Sequence, residues 1–110
     1  MATDPVLQAW QRRLADAAAE ALPASVPALL AAAAGQWPER TALHLFETGH
    51  TLSYRQLHEA SDHLARSLHA RGLRGGDHLA VMLPNGVAWP ITWMAALKLG
   101  AAVVPVNPTY

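Results

Sequence analysis

The chain has 110 residues, enough for one small folded unit, and is 52% hydrophobic and 15% charged, which is too apolar for a disordered segment. Its eight basic and eight acidic side chains cancel, and with no basic stripe there is no electrostatic footprint for nucleic acid or an anionic membrane. Cysteine is absent, which excludes disulfide frameworks, thiol nucleophiles and cysteine-based zinc sites and suits a cytoplasmic location.

Asp4-Pro5 is a helix start, an acceptor side chain at the N-cap followed by proline where its missing N–H does no harm. Leu7, Trp10, Leu14, Ala17 and Ala21 then share one face, with Arg12, Asp16 and Glu20 opposite, and Pro23 is expected to end the helix. Acid outweighs base along it, so the apolar face is expected to pack against protein rather than lie on a membrane. The uncharged run from Ala21 to Ala34 follows Arg12-Arg13 as a signal peptide's apolar region would, but Asp16, Glu20, Pro23 and Pro27 break that pattern. It is also too short to span a bilayer. Ser25 can cap a second helix with Leu29, Leu30 and Ala33 as its apolar face, terminated by Gly35 and Pro38.

Thr41–Phe46 and Thr51–Tyr54 flank Glu47-Thr-Gly-His50, a hairpin pattern. Ser53 and Gln56 have capping-box spacing and open a helix carrying Leu57, Ala60, Leu64, Leu68 and Arg71 on one side, with Gly72 placed for a left-handed close. Glu59 and His63 are spaced to pair on its outer face. Leu79–Leu83 and Ala101–Val106 are apolar without alternation, as parallel strands buried on both faces would be. Between them Pro84-Asn-Gly86 leads into a helix that ends at Leu99-Gly100, with Pro90 tolerable if the first turn begins near Ala88. Strand, helix and strand make a βαβ unit. The fold class is α/β: N-terminal helices, a β-hairpin and a βαβ unit, with too few helices to cover both faces of the sheet.

The chemistry-bearing residues mostly have structural readings. Arg71-Gly-Leu-Arg-Gly-Gly-Asp77 is glycine-rich but lies after a helix and before a strand, the reverse of a phosphate-binding loop, so it is read as a helix stop and a tight turn. The six histidines, at 44, 50, 58, 63, 69 and 78, include no pair four apart as a helical zinc pair requires. No Gly-x-Ser-x-Gly elbow occurs. Trp89 and Trp93, four apart on one helix, suggest core or subunit packing. Lys98, the sole lysine, lies in the last helical turn, where a cation complements the helix dipole. Asn85 reads as a helix N-cap. Asn85 and Asn107 nevertheless follow the two strands, at the crest where open α/β sheets bind ligands, and a small stand-alone nucleotide-binding or interaction module is the alternative reading.

Trp37-Pro-Glu-Arg-Thr-Ala-Leu43, Leu52-Ser-Tyr-Arg-Gln-Leu57, Gly72-Leu-Arg-Gly-Gly-Asp77, Leu79–Asn85 and Ala95–Pro108 occur in one unbroken order. Together they resemble the N-terminal portion of the AMP-forming acyl-CoA synthetases, within the adenylate-forming ligase superfamily of AMP-binding enzymes. Trp89-Pro90 and the closing Asn107-Pro-Thr-Tyr110 are most similar to the medium- and long-chain fatty acyl branch. The resemblance implies residues 1–25 as an N-terminal helical extension and 26–110 as the opening, truncated part of the synthetase/ligase domain, a piece of a larger layered α/β unit. It implies a parent acid–thiol ligase that uses ATP and Mg2+ to turn a carboxylate into acyl-AMP and then thioesterifies it to coenzyme A. The family's phosphate loop, nucleotide contacts and C-terminal lysine have no counterpart in these residues. Therefore no catalytic, cofactor-binding or metal residue is assigned, no bound cofactor is expected, and the chain itself is expected to be inactive.

Overall fold

The computed structural model describes residues 4–109; Tyr110, part of the closing motif, lies outside them. The first helix, α1 (Pro5–Ala19), starts as its cap predicts, with the Val6 N–H donating to Asp4 Oδ1 at 2.9 Å. It stops at Ala19, short of Pro23, and Glu20 is already extended. The residue before a proline disfavours the helical region, and no tertiary contact holds a further turn. α1 packs against no other element among the described residues. Its apolar face is bare, with Leu7, Trp10 and Leu14 each about half exposed, so the expected packing is not met among the described residues.

Ser25 caps α2 (Val26–Gln36) through a bond from the Ala28 N–H to its Oγ at 3.2 Å. Gly35 does not end this helix. It lies inside it without positive φ, and the helix closes one residue later, where the Trp37 N–H donates to the Ala33 carbonyl at 2.7 Å. Leu30 is the buried anchor of α2, which packs on the next two helices.

β1 (Thr41–His44) and β2 (Thr51–Ser53) form the antiparallel hairpin, with an irregularity between Thr41 and Leu43. Both strands are shorter than the apolar pattern suggests. The Leu45 N–H still donates across the hairpin to the His50 carbonyl at 2.8 Å, but Phe46 turns out into solvent, and Tyr54 already begins the following helix. Gly49, at φ 71°, closes the turn.

α3 (Tyr54–Ala70) opens with the full capping box: Gln56 N–H to Ser53 Oγ at 3.1 Å, and Ser53 N–H to Gln56 Oε1 at 2.8 Å. Its deepest residues are Leu57, Ser61 and Ala65, a face rotated slightly from the predicted stripe of Leu57, Ala60, Leu64 and Leu68. Ser61 can sit fully buried because its hydroxyl donates to the Leu57 carbonyl at 2.7 Å, leaving no unmet polar group. Gly72, at φ 106°, closes α3 with the Leu73 N–H bonded back to Leu68. The glycine-rich segment is then a turn: Arg74 N–H meets Asp77 Oδ2 at 2.7 Å, and Asp77 N–H meets the Arg74 carbonyl at 3.1 Å.

β3 (His78–Val81) and β4 (Ala102–Pro105) pair in parallel, joined by α4 (Ala88–Lys98), so the βαβ unit is present. Leu79 pairs with Val103 and Val81 with Pro105. α3, α4 and α2 form the core with Val81, Ala95, Ala96 and Ala101. The strands were expected to be buried on both faces. One side, carrying Leu79, Val81 and Val103, is covered by α4, whereas His78, Ala80, Ala102 and Val104 are exposed. The hairpin neither joins this sheet nor packs on its strands among the described residues.

Candidate functional site: a neutral crest cleft

The C-terminal ends of β3 and β4 fix the crest. Val106 N–H donates to the Val81 carbonyl at 2.8 Å, carrying the parallel ladder one bond beyond β4 and setting the chain off into Asn107-Pro108-Thr109. Opposite, Leu83-Pro84-Asn85 leaves β3. These two segments and Trp89, from the first turn of α4, line an open cleft of about 580 Å³. The structure thus brings Asn85 and Asn107 together, as the topology of an open parallel sheet requires.

The expected N-cap role of Asn85 is not realised. Val87 is the N-cap of α4, in helical conformation, and no side chain caps the helix. The reason is spacing: Asn85 lies two residues too early, and Gly86-Val87 lets the chain enter the helix directly. Asn85 instead lies between the crest and a second cleft of about 270 Å³ lined by His44, Leu45, Phe46, Glu47 and Thr48 of the hairpin. Pro90 falls in the first turn of α4, which begins at Ala88 as required.

The polar groups at the crest are neutral. Asn107 Oδ1 accepts from both the backbone N–H and the hydroxyl of Thr109, at 3.0 and 2.8 Å. That holds the loop in a tight turn and leaves the Asn107 amide N–H groups as donors. Pro84, Pro105, Pro108 and the half-buried Trp89 supply apolar walls. No lysine or arginine lines the cleft, and no cluster of three metal-ligating side chains exists among the described residues. The crest residues therefore do not fit a magnesium–triphosphate group, which needs positive charge around the phosphates and carboxylate ligands for the metal. They suit an uncharged group that can accept a hydrogen bond and lie against an indole.

A charged cluster lies elsewhere, at the seam of α3 and α4. Lys98 Nζ reaches Asp62 Oδ1 at 2.7 Å, the His58 carbonyl at 3.0 Å and His58 Nδ1 at 3.2 Å, with the lysine side chain only 11% exposed. His58 Nε2 lies 3.6 Å from Asp62 Oδ2. The hydrogen bond from Lys98 holds the Asp62 carboxyl below its usual range, against a smaller opposing effect of burial. Lys98 is thus an interhelical clasp as well as a cation near a helix C-terminus. The sequence shows His58 and Asp62 four apart, but the lysine that completes the cluster is distant in sequence. The pair expected one position later, Glu59 with His63, does not form among the described residues; both side chains are exposed.

Of the tryptophans, only Trp89 reaches the crest, while Trp93, Trp37 and Trp10 are each at least 39% exposed. The Arg40 guanidinium lies 5.6 Å from the Trp37 ring centroid, a cation–π contact.

Residues 30–110 match the family of AMP-binding enzymes, and the chain belongs to that family. It is 37% identical to phosphinothricin tripeptide synthetase PhsB of Streptomyces viridochromogenes, across 97% of this chain and 9% of that protein. It is 38% identical to the mitochondrial medium-chain acyl-CoA ligase ACSF2 of Mus musculus, across 74% of this chain and 13% of that protein. Among solved structures, the N-terminal subdomain of NpsA from Klebsiella oxytoca superposes with a TM-score of 0.73 at 30% identity, over 78% of this chain and 22% of that one. Over the matched residues 30–110, the helices and small sheets described above are therefore part of an adenylate-forming N-terminal subdomain. The chain spans 9% and 13% of the length of the two curated relatives.

Proposed function

We propose that these residues are the opening portion of an AMP-forming acyl-CoA ligase. In this reading the parent enzyme joins a carboxylate, a fatty acid, to the α-phosphate of ATP with release of pyrophosphate. It then passes the acyl group to the thiol of coenzyme A with release of AMP. The observation that carries the reading is the family match over residues 30–110, together with the 38% identity to a medium-chain acyl-CoA ligase. The same reading takes residues 1–25 as an N-terminal extension and 26–110 as the start of the catalytic domain.

Within it, the 110 residues act as scaffold. Magnesium would offset phosphate charge in the parent, but the crest lining holds no carboxylate to bind it, so no step is assigned to a residue here. The chain alone, given Mg-ATP, a medium-chain fatty acid and coenzyme A, should release no pyrophosphate; release above a no-enzyme blank would overturn the scaffold reading. Sequencing beyond the codon for Tyr110 tests the parent assignment, which fails if no Ser/Thr/Gly-rich phosphate loop follows.

A second reading is favoured by the PhsB match, which extends over 97% of the chain: an adenylating unit that activates an amino acid for a peptide synthetase. ATP–pyrophosphate exchange by the parent separates the two. Exchange driven by fatty acids and not by amino acids supports the ligase. A stand-alone nucleotide-binding module would instead show ATP affinity by calorimetry on the 110-residue chain, where the scaffold reading expects none. No described helix is long and apolar enough to cross a membrane. The absence of cysteine supports a cytoplasmic placement, with the organelle named for the mouse relative as the alternative that imaging of the tagged parent decides.

A further inference from the structure

We draw no further inference here: the strongest candidate, the exposed apolar stripe of Leu7, Trp10 and Leu14 on α1, packs against no other element among the described residues and nothing in the structure shows what covers it.

Discussion

At the scale of single residues, the clasp of Lys98 on Asp62 and His58 is the feature with the clearest measurable consequence. Asp62 is 40% exposed on its side chain, so solvent screens the pair and its worth is modest. Lys98→Met, which keeps the apolar stem, is expected to cost about 1 kcal/mol, read as a lower urea midpoint with unchanged slope. The pH dependence follows from the lowered carboxyl of Asp62. A depressed folded-state value contributes stability that is fully present above the ordinary carboxylate range and is lost as pH falls through the depressed value. Wild type should therefore lose more stability on acidification than Asp62→Asn; parallel pH profiles of Tm would remove the assigned role. Gly100 offers a test of a different kind. It sits at φ 76°, and an added Cβ would lie 3.5 Å from the Gly75 Cα. Space is adequate but the left-handed backbone is not, so Gly100→Ala should cost about 1–2 kcal/mol from conformation alone.

At the scale of elements, the helices differ in how firmly their ends are written into the chain. α3 starts at a reciprocal box, so Ser53→Ala removes an acceptor that no neighbour replaces. The expected loss is about 1 kcal/mol, with faster amide exchange confined to the first turn of α3. α4 has no side-chain cap and owes its position to the apolar surface it shares with α3 and the parallel strands. Asn85→Ala is accordingly expected to leave thermal stability within about 0.5 kcal/mol of wild type; a loss on the scale of a missing cap would restore the capping role. The capping box and the left-handed glycine were legible because each depends on residues a few positions apart. The length of α1 was not, since no tertiary contact holds a further turn, nor was the continuation of α2 through Gly35, since a glycine inside a helix has only a moderate cost that one further hydrogen bond offsets.

At the scale of the whole molecule, the two-stranded parallel sheet has one covered and one open face. Val104, 42% exposed, lies on the open side, and Met82, just beyond β3, is 61% exposed. Sheets of two strands have little stability of their own, and a bare apolar face with free edges favours self-association. The chain is expected to associate with rising concentration in sedimentation velocity, and Val104→Lys should reduce that association without unfolding the core. Equal association of both forms would locate the sticky surface elsewhere, with the stripe on α1 as the next surface to alter.

Local chemistry was sufficient for the order of elements, the hairpin, the βαβ crossover and the structural role of the glycine-rich turn. Each of these is governed by side-chain periodicity or by backbone freedom over a few residues. The ordered motifs from Trp37 to Pro108 also sufficed for the family. Only the tertiary structure decided that Asn85 lines a cleft instead of capping a helix, that Lys98 closes on Asp62, and that the apolar strands are covered on one face. Those outcomes depend on which distant surfaces meet, and an apolar strand carries the same pattern whether its second face finds a partner or not.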